Sequence, residues 1–166
     1  MKELNQQRVI QSMIFVIRGH RVMIDRDLAD LYGVETRALN QAVRRNIDRF
    51  PKDFMFILTR KEIMNLSQFV IGSNIKHAPN IFVFTEQGVA MLSGVLKSKR
   101  AIQVNIHIMR AFVKLRRAAL TYAGLRRKID DMEQKYDAQF SIVFKAIKGL
   151  LISPSKPKSP IDFTNN

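Results

Sequence analysis

Read from the amino terminus, the chain alternates short apolar runs with segments of helical period. Residues 1–12 are polar with weak helical character and form an N-terminal arm or a short helix. Ile14–Arg18 and Arg21–Ile24 are β-branched runs separated by Gly19-His20, which predicts a two-residue hairpin with Gly at its first turn position. Asp25 or Asp27 then opens a helix that ends at Gly33, and Glu35 or Thr36 opens a second that ends before Pro51. Phe54–Leu58 is a continuous apolar run, as expected of a strand buried or covered on both faces. Thr59-Arg60-Lys61-Glu62 has the capping-box spacing and starts a short helix towards Leu66.

Residues 67–80 mix Ser, Gly, Asn, His and Pro without period and are read as a loop. Ile81–Phe84 is a further strand, Thr85 caps a helix Glu86–Leu96, and Ser98 caps a long helix towards Tyr122. From Leu125 the apolar positions fall at Leu125, Ile129, Met132, Tyr136, Phe140, Val143, Ile147 and Leu150. Their spacings of three and four approximate a heptad seam, with Gly124 kinking this helix away from the one before it. Such a stripe either makes a dimeric coiled coil or folds back on its own domain. The run from Ser153, with three prolines among Ser and Lys, predicts a disordered tail. The expected organisation is therefore an arm (1–12), a domain (13–96), a basic helix (97–123), a coiled-coil helix (124–152) and a tail (153–166).

Within the domain, Asp25–Arg49 has the residue types of a helix-turn-helix. Ala29 is small where a second helix would cross, and Gly33 supplies the left-handed turn. Leu28, Val34 and Leu39 are expected to close the small core between the two helices. At 100° per residue, Leu39, Val43, Ile47 and Phe50 cluster within about 80° as the buried stripe of the second helix. The opposite face carries Arg37, Gln41, Arg44, Arg45 and Asp48, with Asn40 on its flank. Arg can pair bidentately with guanine and Asn or Gln with adenine, so this face has the side chains that read base edges. A merely solvated face would more often carry Glu–Lys pairs at i,i+4.

Charge strengthens this picture. The 28 Lys and Arg against 14 Asp and Glu give a formal net charge of +14, which favours a polyanionic partner. Between Gln87 and Ile129 stand ten basic residues and no acidic one. Of these, Lys97, Lys99, Arg100, Arg110, Lys114, Arg116 and Arg117 are the candidates for phosphate contact. There is no cysteine, hence no disulfide framework, and no apolar run long enough to span a bilayer, so a cytoplasmic protein is expected.

Nothing in the chain suggests an enzyme. His20, His77 and His107 have no second ligand at i+3 or i+4, so no metal or cofactor is expected. Asp25, Asp27 and Asp30 could be imagined as a nuclease magnesium cluster, but acids in a first helical turn have ordinary capping and dipole roles.

Several runs together resemble the phage ORF-six N-terminal domain family, which is related to the KilA-N and Bro-N domains. They are Ile17–Met23, Asp27–Thr36, Ala38–Asn46, Arg49–Phe56 and Phe84–Leu92, in that order. The resemblance spans roughly residues 8 to 96, and a basic helix and coiled-coil tail are its usual continuation. It implies a DNA-binding module of phages, prophages and bacteria, often in regulators or antirepressor-like proteins. The loop 67–80 departs from the pattern in carrying fewer aromatics.

The expectation is an α+β fold in which short β-strands support a winged-helix-like helix-turn-helix, followed by long C-terminal helices. Arg37, Asn40, Gln41 and Arg44 would enter the major groove of double-stranded DNA, with Thr36 and Arg45 on phosphates. A homodimer through the C-terminal seam would place two such helices on two half-sites. RNA or single-strand binding ranks lower, because Trp is absent and Phe falls in apolar runs rather than on polar faces. A module that recruits a phage or host regulator through the coiled coil is the other alternative.

Overall fold

The computed structural model describes residues 1–70, 74–135 and 138–151. The fold is α+β, with a small antiparallel sheet and a long C-terminal helix. The described residues fall into two compact units, Met1–Ala111 and a second beginning at Phe112.

In the first unit the elements run α1 (Lys2–Ser12), β1 (Phe15–Ile17), β2 (His20–Ile24), α2 (Asp25–Tyr32), α3 (Thr36–Arg45), β3 (Met55–Ile57), α4 (Arg60–Ser67), β4 (Phe82–Thr85) and α5 (Glu86–Leu96). Helix α6 (Lys99–Lys135) begins here and continues into the second unit. Strand order is β1-β2-β4-β3, all antiparallel, with Val22 opposite both Phe15 and Thr85, and Phe84 opposite both Met23 and Met55. The two inner strands are apolar without alternation because both of their faces are covered. Val22, Ile24 and Val83 join Ile63 and Leu66 of α4 in one core layer. On the other face, Phe84 meets the Phe50 ring edge-on at 5.9 Å, and helices α2 and α5 pack against β2 and β4.

Local side-chain signals set three of the helix starts. Thr59 Oγ1 accepts from the Glu62 amide, and the Glu62 carboxylate accepts from the Thr59 amide, so the capping box forms as spaced. Thr85 Oγ1 caps α5 and Ser98 Oγ accepts from the Ala101 amide at the head of α6.

Four expectations need correction. The hairpin turn is Arg18-Gly19, one residue earlier than Gly19-His20, with Ile17 paired to His20. Both turn residues have positive φ (53° and 76°), the pattern of a type I′ turn with Gly second rather than first. Arg18 is held there by Glu62 and by the Phe56 ring, 4.5 Å from its guanidinium carbon. Second, α3 stops at Arg45: Asn46 leaves helical geometry and turns its Nδ2 onto the Ala42 carbonyl at 2.8 Å. A 3-10 turn over Ile47–Arg49 follows, which brings Phe50 inward while Ile47 swings out to 50% exposure. Third, Gly124 does not break the helix; α6 is continuous through it.

Fourth, the seam from Leu125 to Leu150 is not one coiled-coil helix. It is split between α6 and α7 (Ala138–Leu150), and the Lys148 ammonium reaches back to Asp130 (2.9 Å) and Glu133. The second unit is thus a helical hairpin in which α7 folds back on the end of α6. Ile129 is buried, whereas Leu125, Met132, Val143, Ile147 and Leu150 are exposed. Tyr136, the Phe140 side chain and the expected tail from Ser153 lie outside the described residues. The expected arm over residues 1–12 is helix α1, docked through Ile10 and through Gln7, whose amide donates to the His107 carbonyl at 3.3 Å.

Candidate nucleic-acid interface

The candidate interface is built on α2, the turn at Gly33, and α3. Gly33 is left-handed (φ 71°, ψ 35°), with its N–H on the Asp30 carbonyl and the Val34 N–H on that of Ala29. This Schellman closure satisfies two of the carbonyls that end α2. The neighbouring Leu31 carbonyl accepts from Arg100 Nε at 3.2 Å. The Arg100 guanidinium lies so close over the turn that a Cβ on Gly33 would come within 2.9 Å of it. A cation at the negative end of α2 also suits the helix dipole. Arg100, expected on a DNA phosphate, therefore first serves as a cap.

Leu28 and Ala29 of α2 and Leu39 and Val43 of α3 are fully buried, so the small residue sits where the helices meet. Val34, expected in this core, is 38% exposed instead. Tyr32 donates its hydroxyl to the buried Asn105 of α6, whose own amide donates to the Val89 carbonyl at 2.9 Å. Burial raises the Tyr32 phenol above its ordinary range despite that bond. This network fixes α2, α5 and the start of α6 together.

With Leu39 and Val43 inward, α3 presents Arg37, Ala38, Gln41, Arg44 and Arg45 outward, all exposed, and Thr36 half-buried at its start. The Arg44 guanidinium carbon stands 5.3 Å from the Phe82 ring centre, which steadies a long side chain at the end of the helix.

Asn40 has a different task from the one its position on the wheel suggests. Its Nδ2 donates to Asp25 Oδ2 at 2.8 Å. The buried Asp25 carboxylate also accepts from the Arg26 amide (2.7 Å) and the Phe82 amide (3.2 Å). One carboxylate thus ties α2, α3 and β4 at a single point. Asp25 is not an N-cap, since Ile24 holds that position and makes no side-chain cap. Burial raises the Asp25 pKa, opposed by the bonds from Asn40, Phe82 and Arg26. Asp27, in the same turn, is pushed up to about 6 by burial and by the nearby Asp30 and Asp25 carboxylates, against Arg26. The Asp25–Asn40 bond spans 15 residues, and no local pattern in the chain announces it.

Of the basic residues expected on phosphates, Lys97, Lys99 and Arg110 are exposed in the first unit, with Lys97 in left-handed geometry just after α5. Lys114, Arg116 and Arg117 are exposed in the second unit. Among the described residues, no group of three or more His, Asp or Glu could hold a metal ion, and no helix is long and apolar enough to cross a membrane.

No curated protein and no solved structure matches this chain. The sequence pattern of the ORF6N domain, a phage-type family, matches residues 12–95, from the start of the β-hairpin to the end of α5. That match covers half of the chain and contains every element from β1 to α5 on which the candidate interface is built, so the chain belongs to the ORF6N domain family.

Proposed function

We propose that this protein is a double-stranded DNA-binding regulator of phage or prophage type, without enzymatic activity, that reads its site with α3. One observation carries the proposal: α3 is rigidly buried on Leu39 and Val43 and turns Arg37, Gln41, Arg44 and Arg45 outward on one face. Arg37 and Gln41 are one turn apart and have the donor sets for guanine and adenine edges in a major groove. Asn40 is not part of this reading set, because its amide is committed to Asp25. Arg45 and Thr36 flank the face as phosphate contacts, and the basic residues of α6 supply sequence-independent affinity.

The exposed apolar side chains of the second unit support self-association as part of the same reading. Leu125, Met132, Val143 and Leu150 are each more than 40% exposed and are available for such a contact. A homodimer formed there would bring two copies of α3 to one operator.

Selection from a random duplex pool, followed by binding titrations over a salt series, tests the proposal. An enriched site and a steep fall of affinity with salt are expected. Arg37→Ala and Gln41→Ala should each lower affinity for the selected site and relax preference, at a cost of about 1–3 kcal/mol in discrimination. Lys114→Ala should weaken selected and scrambled duplexes alike. Equal losses for the two kinds of variant, or binding indifferent to salt, would sink the proposal.

A further inference from the structure

Beside the N-terminal end of α3 lies a cleft of about 290 Å³. One wall is Arg26, Thr36 and Arg37; the floor includes Ile75; the far wall is Pro79 and Asn80 of the segment that leads into β4. We infer that residues 74–80 form a second nucleic-acid contact element, which seats the sugar–phosphate backbone of one DNA strand across this cleft. The inference rests on the proposal that α3 lies in a duplex groove, and it adds the element that would grip the strand at the N-terminal end of that helix.

The segment is built to hold its shape. Ile75 is fully buried in the core layer under α4, and Ile81 is buried at its other end. Between them, the Arg60 guanidinium spends both arms on the loop backbone, donating to the Ala78 carbonyl at 2.9 Å and to the Lys76 carbonyl. Within this 3-10 turn (Ile75–His77), the Lys76 carbonyl is thus satisfied by Arg60 and the Ile75 carbonyl by the Ala78 amide. Anchored in this way, the segment leaves Asn74, Lys76, His77, Pro79 and Asn80 exposed to solvent.

Its electrostatics suit a polyanion. No acidic residue occurs between Glu62 and Glu86. The one carboxylate lining the cleft, Asp25, is buried, and its oxygens are taken by Asn40 and by the amides of Arg26 and Phe82. The lining includes two arginines, Arg26 and Arg37, and Lys76 is exposed on the segment that supplies the other wall. A duplex laid along α3 passes a backbone at each end of the helix, so a strand at Thr36 and Arg37 would meet this loop.

The test uses the full chain and two labelled duplexes, the selected site and a scrambled sequence of equal length, titrated over a salt series. Lys76→Ala with Asn80→Ala should weaken both duplexes about three- to tenfold and reduce the slope of log affinity on log salt by about 1. Preference between the two duplexes should not change. Arg60→Ala, which frees the loop while leaving its cation in place, should weaken both duplexes without altering preference. Replacing single phosphates by neutral methylphosphonates supplies a readout that a purely structural role would not move. One position should cost affinity in the wild type and cost nothing further in the Lys76→Ala, Asn80→Ala protein. Unchanged affinity and slope in that double variant, while Arg37→Ala still weakens the selected site, would overturn this inference and leave the role of α3 standing. Failure of the wild type to bind either duplex would overturn both.

Discussion

Arg18 is a long, charged residue in a backbone conformation (φ 53°) that costs an L-residue roughly 1–2 kcal/mol. It persists there because its guanidinium grips the Glu62 carboxylate with two bonds, one of 2.6 Å, while lying over Phe56. Glu62 is only 5% exposed in its side chain, against 43% for Arg18, so the pair ties a solvent-facing turn to a buried acid at the head of α4. Burial would raise the Glu62 pKa, but the bonds from Arg18 and Thr59 outweigh it and leave the carboxyl below its ordinary value. A carboxyl depressed in the folded state adds stability above its unfolded pKa of 4.5 and loses it as pH falls through the folded value. Arg18→Ala should therefore destabilise the protein by about 1–2 kcal/mol at pH 7, a magnitude tempered by the exposure of the arginine. The deficit should shrink as urea denaturation is repeated towards pH 3. Arg18→Gly loses the same ion pair but relieves the backbone, so it should be the milder variant by about 0.5 kcal/mol. A glycine variant as unstable as the alanine one would show that the turn carries no strain.

At the scale of elements, α3 owes its orientation to two attachments, the Leu39–Val43 stripe and the Asp25 latch. The latch predicts a division that the sequence alone places differently. Asn40→Ala should cost about 1 kcal/mol of stability, because Asp25 keeps two amide donors, and should leave base preference unchanged. Asp25→Ala orphans the Phe82 amide and the Asn40 side chain together and should cost about 2–3 kcal/mol. Thermal melts paired with selection experiments on both variants would check this; an Asn40→Ala protein with a changed consensus would return Asn40 to the reading face. The difference between what could and could not be read in the chain follows from range. The capping box at Thr59, the Gly33 turn and the apolar runs of β2 and β4 are local patterns, and each placed its element to within a residue. The partners of Asn40, Arg100 and Arg18 lie 15, 69 and 44 residues away, and no periodicity encodes them. The slip of the hairpin by one residue and the loss of Ile47 from the buried stripe have the same origin. Pairing to β4 and packing of Phe50 on Phe84 decide them, over local turn and wheel preferences. The heptad spacing, likewise, cannot distinguish a helix that runs straight on from one that folds back, and here Lys148 returning to Asp130 shows that α7 folds back.

For the whole molecule, the net charge of +14 would set the proposed self-association against the proposed DNA binding in a way that salt can separate. Two copies carry like charge and repel at low ionic strength, where the Debye length is longest. Their proposed contact is apolar: Leu125, Met132, Val143 and Leu150 are exposed in the single chain, and burying what most of them still expose would contribute roughly 1 kcal/mol each. Raising salt should therefore strengthen the dimer while it weakens DNA binding through lost counterion release. Sedimentation velocity at micromolar concentration, without DNA, should show the dimer fraction rising between low and high salt. Leu125→Asn and Val143→Asn change no charge and should each weaken the dimer about tenfold or more, since every substitution acts twice across a symmetric contact. Their binding to a single half-site should match that of the wild type, while binding to the full selected site weakens, because only the second contact has been lost. A chain that stays monomeric at every salt concentration would remove dimerisation from the proposed function. An association that weakens with salt would show instead that charge pairs, and not these apolar side chains, hold the copies together.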